Sequence, residues 1–230
     1  MIDVVQKLQK LIAKDNPVIL EIGAHKGEDS IRFLDTFANI KLSLAVQRAG
    51  LKFKIFPKTN KIYTVISHKR LHRFVKHRKE VKDSRCSLME MAIADHDGSV
   101  IFHRSSGLGR RASGSINKPT GHLWVHRWCL FEEDIKVPCM TLDGWCQQND
   151  IEHIDLIWAD VNGAEAKMLA GAQETLKHTR YLYTEFQTGG PEIYAGGVNR
   201  GQLKRLLPSF RDAWTHKNNI LFINKELNDV

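Results

Sequence analysis

The chain has 230 residues, 42% hydrophobic and 26% charged, a composition that suits a folded α/β-sized domain and excludes a disordered or low-complexity polymer. No run approaches the roughly 18 apolar residues of a spanning helix, and Met1–Lys14 lacks the unbroken apolar stretch of a secretion signal. The formal net charge of +8 is unevenly placed: residues 41–79 hold twelve Lys/Arg and no Asp or Glu, while the rest carries 22 Lys/Arg against 26 Asp/Glu.

Residues 3–14 read as a short amphipathic helix, with Val4/Val5, Leu8 and Leu11/Ile12 at helical spacing and Asp15-Asn16-Pro17 as its stop. Pro17–Gly23 is a short apolar run ending in glycine, the pattern of a strand buried on both faces. A helix is expected over Glu28–Phe37, then strands over Ile40–Val46, Ile62–Ile66 and Ser87–Ala94. Val100–His103 is expected to return as a hairpin arm after the Asp97-Gly98 turn. Residues 104–134 show no clean period and read as irregular structure. The pattern then sharpens: a strand over Ile154–Val161, a helix over Ala164–Lys177, a strand over Tyr181–Phe186, a short helix over Gln202–Leu207 and a last strand over Ile220–Asn224. Strands alternating with helices argue for one α/β domain over 1–230, a mostly parallel, doubly wound sheet with helices on both faces. Four cysteines (Cys86, Cys129, Cys139, Cys146) without a CxxC pair fit a reduced, cytoplasmic compartment.

Ligands of doubly wound sheets bind beyond the carboxyl ends of the strands. One tip reads Glu21-Ile22-Gly23-Ala24-His25-Lys26-Gly27-Glu28. Its two glycines let the backbone turn tightly and admit a ligand closely, and a carboxylate precedes the turn. It lacks the G-K-[ST] ending of a P-loop, and its G-x-x-x-G spacing differs from the G-x-G-x-x-G of nicotinamide enzymes. Another tip, Asp160-Val161-Asn162-Gly163-Ala164-Glu165, puts a carboxylate at the end of an apolar strand and a second in the first turn of the next helix. An ionised Asp there is costly unless it has partners or a ligand. The alternative role of Glu165 is to complement the helix dipole. His122/His126 and His68/His72 lie four apart with no third ligand, so no metal is expected. Trp124 and Trp128 read as core or as a stacking surface. The five glycines of Gly189–Gly201 suggest a mobile loop, a lid carrying Tyr194.

Together these segments resemble the FkbM family of S-adenosylmethionine-dependent methyltransferases. The resemblance rests on Glu21–Glu28, Ala92-Ile93-Ala94-Asp95 with Gly98, Thr141-Leu142-Asp143, Ile154-Asp155-Leu156 leading to Asp160–Glu165, Leu169, Gly171, Ala172, and Glu185. It implies a Rossmann-like sheet with a C-terminal antiparallel strand, S-adenosyl-L-methionine as cofactor, and methyl transfer to a hydroxyl of a sugar, glycan or small metabolite. Glu21, Gly23, Ala24, His25 and Gly27 would line the methionine side of the cofactor, Asp95 would lie near the adenine, and Asp160 near the reacting centre. Asp160, Glu165, Glu185 and His25 are the candidate general bases, Asp160 first.

Two departures stand out. The family ends its second strand with an acid for the ribose hydroxyls, whereas the candidates here end Ala45-Val46-Gln47 or Val65-Ile66-Ser67. Asn162 stands where the family usually has Glu. The first departure lies in the basic window, which has three readings: a solvated face, a site for an anionic partner such as nucleic acid or an acidic glycan, or a shifted reading frame. The rival function is therefore a degenerate methyltransferase fold that binds an anionic polymer.

Overall fold

The computed structural model describes residues 4–23, 28–37, 41–46, 86–107 and 113–227. In chain order the elements are α1 (Val4–Ile12), β1 (Val18–Ile22), α2 (Glu28–Thr36), β2 (Lys41–Val46), β3 (Cys86–Glu90), β4 (Ala92–Ile93), β5 (Gly98–Gly107) and α3 (His122–Val125). They continue with β6 (Cys129–Met140), α4 (Leu142–Gln148), β7 (Ile154–Ala159), α5 (Glu165–Ala170), α6 (Gln173–Lys177), β8 (Thr179–Glu185), α7 (Arg200–Leu206), β9 (Phe210–His216) and β10 (Asn219–Asn224).

Seven strands form the main sheet in the order β3-β2-β1-β7-β8-β10-β9. β3, β2, β1, β7 and β8 pair in parallel, and β10 runs antiparallel to both β8 and β9. The expected Rossmann-like sheet with a C-terminal antiparallel strand is thus present, with β10 as that strand. Strand order grows one way from β1 to β2 and the other way from β7 to β8. With right-handed crossovers, α2 and the α5–α6 pair therefore lie on opposite faces. The reversal makes the tips of β1 and β7 the switch point of the sheet, the place where such sheets take ligands. Ile19, Leu20, Leu156, Ile157, Leu182 and Phe222 are 0–1% exposed, as strands covered on both faces require. β2 shows that the first part of the basic window is regular sheet; the expected Ile62–Ile66 strand lies outside the described residues.

Three expectations need correction. Ser87–Ala94 is two strands, because β4 leaves the main sheet and pairs with β6. Residues 104–134 are far from irregular throughout: β5 extends to Gly107 and β6 covers Cys129–Met140, forming an antiparallel arm with a register shift at Arg104/Ser105. The returning arm after Gly98 therefore pairs with β6. The Ala164–Lys177 helix breaks at Gly171-Ala172, where Gly171 approaches the next layer so closely that an added Cβ would lie 2.1 Å from the Ala94 carbonyl oxygen.

Candidate active site

The switch point is built on backbone contact. The Asp160 N–H donates to the Ile22 carbonyl at 2.9 Å, extending the β1–β7 pairing by one rung beyond the strands. Gly23 then turns with φ +95°, and a Cβ there would fall 1.7 Å from the Asp160 carbonyl oxygen. Only glycine fits, since the conformation and the space both exclude a side chain. Glu21, 2% exposed, accepts a 2.7 Å hydrogen bond from the Ser30 hydroxyl, tying the β1 tip to α2.

Three carboxyls converge just past β7 and β8. Asp160 is solvent-exposed, yet burial among the surrounding protein is the leading cause that raises its pKa, with the Asp29 carboxylate second. The Asp160 and Glu185 carboxyls lie close enough that each shifts the other's pKa. Glu185 is raised further than Asp160, by burial first and then by Asp160 and Glu165. Two carboxyls in contact cannot both ionise cheaply, so their protons leave in two steps that belong to the pair. Glu165 is 2% exposed and pushed up to about 7, again chiefly by burial. It accepts from the Gly163 N–H at 3.3 Å and from neighbouring turn N–H groups, which pins the loop between β7 and α5. Among the described residues no cation is paired with any of the three.

The turn itself is unusual in sign. Asn162 and Gly163 have φ +52° and +86°. Asn tolerates the left-handed region better than Glu does, which gives Asn162 a local reason to stand there. The arm's insertion folds over this turn: Asn162 Nδ2 donates to the Gly114 carbonyl at 3.3 Å and Asn117 Nδ2 to the Gly163 carbonyl at 2.6 Å. Tyr194 packs its ring on Gly163 and donates its hydroxyl to the Ser113 carbonyl at 2.7 Å. Tyr194 is 7% exposed, and its loop bonds residues 118–121 through Ile193 and Ala195. Tyr194 of the expected lid is thus tied by these bonds into a wall of the site. A cavity of about 80 Å3 lies behind it, lined by Glu165, Glu185, Gln187, Ile193, Tyr194 and Asn218 among others.

Of the residues singled out from sequence, Glu21, Gly23, Asp160, Glu165 and Glu185 come together at this rim. Ala24, His25 and Gly27 lie outside the described residues. Asp95 does not join them. It follows β4, which belongs to the small sheet; its carboxylate meets His96 Nδ1 at 2.7 Å and Lys167 lies near it. Lys167 is two residues, and so about 200°, around α5 from Glu165. Thr141-Leu142-Asp143 is a capping device: Thr141 Oγ1 caps α4 and the Asp143 carboxylate accepts from the Glu174 and Thr175 N–H groups at the start of α6. Sequence reasoning missed Asn218. It lies in a two-residue turn that carried no signal, because the preceding strand β9 was not foreseen.

The sequence matches the family described as "Methyltransferase FkbM domain" over residues 21–214. It is also 35% identical over 209 residues to a 2-O-methyltransferase, NoeI, of Sinorhizobium fredii, covering 89% of this chain and 76% of that protein. The switch point between β1 and β7, the carboxyls gathered beyond it and the length of these matches lead to one assignment: the chain belongs to the FkbM methyltransferase family.

Proposed function

We propose that the chain is an S-adenosylmethionine-dependent O-methyltransferase acting on a hydroxyl of a sugar, glycan or small metabolite. The observation that carries this reading is the Asp160–Glu185 pair beside the switch point of the sheet, with Gly23 packed on the Asp160 backbone. The site suits such a donor chemically, since it gathers carboxyls and the donor's sulfonium and ammonium groups are cationic. Glu21, Gly23 and the Asp160 backbone would hold the methionine end. S-adenosylmethionine supplies, when bound, a methyl group on a positively charged sulfur.

In the transfer the methyl's C–S bond would break, its electron pair staying on sulfur, as the acceptor oxygen forms the new C–O bond and gives up its proton; we assign that proton to the pair, Asp160 first. Positioning and exclusion of water by the Tyr194 wall supply the rest. That NoeI is named a 2-O-methyltransferase supports oxygen as the acceptor atom. The test is transfer of labelled methyl from S-adenosylmethionine to a panel of sugars and glycans. Asp160→Asn is expected to lower turnover by about 10²–10⁴ while S-adenosylhomocysteine binding persists; undiminished turnover would remove Asp160 as the base.

The rival reading, a binding module for an anionic polymer, draws on β2 ending at Val46 with Gln47 next, where the family has its ribose acid. Absence of S-adenosylhomocysteine binding together with salt-sensitive retention on heparin would favour it.

A further inference from the structure

We propose that Asn218 is a positioning residue for proton transfer: the β9–β10 turn clamps it onto Glu185 and so fixes which oxygen of that carboxyl faces Asp160. This rests on the reading that the Asp160–Glu185 pair receives the acceptor's proton. The placement of Asn218 is firmly built. Lys217 turns with φ +55°, and the Asn218 carbonyl accepts the Phe186 N–H at 2.8 Å, so the turn is tied to the residue next to Glu185. From there the Asn218 side-chain Nδ2 donates to Glu185 Oε1. Asn219 Nδ2 lies 3.5 Å from Asn218 Oδ1, holding the amide with its NH2 toward Glu185. Asn218 also lines the cavity beside Glu165, Gln187 and Tyr194.

The chemistry follows from donor types. An amide NH2 only donates, so Glu185 Oε1 must offer a lone pair and the acid proton of Glu185 sits on its other oxygen. That proton is then the one Glu185 can present to Asp160, leaving Asp160 as the ionised partner that meets the hydroxyl. When the hydroxyl proton arrives on Asp160 both carboxyls are neutral, and the Asn218 donor favours the later return of Glu185 to its ionised form. Among the described residues, the groups facing Glu185 are Asp160 beyond β7, Glu165 on α5, Tyr194 on the 187–198 loop and Asn218; Asp29 of α2 acts on Asp160. None of these supplies a second donor of the same kind.

The experiment compares wild type with Asn218→Ala, Asn218→Asp and Asn218→Gln. The pH dependence of kcat, KM for the acceptor and S-adenosylhomocysteine affinity are measured, and Glu185 is followed by carboxyl-carbon NMR with Glu185→Gln to assign it. Asn218→Ala should leave cofactor affinity within about twofold, lower kcat about tenfold and move the Glu185 titration upward by about 0.5–1 in pH, the scale of one lost hydrogen bond. Asn218→Asp should move it further, and Asn218→Gln should recover part of the loss. Superimposable pH profiles, or a Glu185 titration that stays in place in both the Ala and Asp variants, would overturn the proposal. If wild type methylates no acceptor, the underlying reading fails; the NMR titration still decides whether Asn218 governs Glu185.

Discussion

Two aspartates at opposite ends of β7, five residues apart, meet opposite surroundings. Asp155, at the entry to the strand, is fully buried and has Lys14 Nζ at 3.1 Å, His153 Nε2 at 2.9 Å, Arg180 at 3.7 Å and the Val18 N–H at 2.9 Å. Burial pushes its carboxyl up, but the His153, Val18 and Lys14 contacts outweigh it and hold the pKa below the usual range. Asp160, past the exit, has two other carboxyls and, among the described residues, no paired cation, and its pKa is raised. A carboxylate with its countercharges provided belongs to the fold. One left without them is in a state that favours taking up a proton or a cation, which is what catalysis on a cationic donor asks for.

The sharpest way to break this contrast is to move turnover and stability separately. Asp160→Asn, expected to cost about 10²–10⁴ in turnover, should leave stability unchanged or slightly raised, because it relieves like-charge contact; urea denaturation beside the activity assay checks both. Asp155→Ala should do the reverse, costing about 2–4 kcal/mol by denaturation. That lies below the range for a fully buried pair because Lys14 and His153 are 40% and 38% exposed and partly screened. A fall in turnover per folded molecule for Asp155→Ala would show that the two ends are not independent.

The pH dependence of stability should carry opposite signs at the two ends. Asp155, with a depressed folded pKa, contributes stability that is present above its unfolded value near 3.9 and lost as pH falls through the folded one. Glu165, raised to about 7 from an ordinary 4.5, does the opposite: its contribution is full below about 4.5 and lost as pH rises toward 7. Glu165→Gln should flatten the stability curve between pH 4.5 and 7 by about 2–3 kcal/mol, measured by denaturant midpoints across that window. An unaltered slope would place Glu165 in an ordinary carboxylate environment.

The parts of this arrangement that were legible in the sequence are those written locally. β1, β7, β8 and β10 are apolar runs, and burial on both faces makes such runs continuous. The Gly23 turn and the carboxylates at 160, 165 and 185 are readable because a strand tip, a glycine and an acid lie next to one another. β9 escaped notice because Phe210–His216 lies at the sheet edge with alternating exposed and half-buried positions and only Phe210 buried. β6 did so because its arm has a register shift and carries Glu133 and Asp134 in an outward-facing stretch. Contacts that bring residues together across the chain, Lys14 to Asp155 or Asn218 to Glu185, leave no mark on spacing at all. Likewise nothing local says that β4, which Asp95 follows, joins β6 instead of the main sheet.

The most direct test of the donor site is isothermal titration of S-adenosylhomocysteine into wild type and Gly23→Ala. The site described here predicts saturable binding to wild type and at least a tenfold loss in the variant, since a Cβ at residue 23 drives the β1 tip off the Asp160 backbone. No heat with wild type at millimolar ligand, or equal affinity for both proteins, would contradict it.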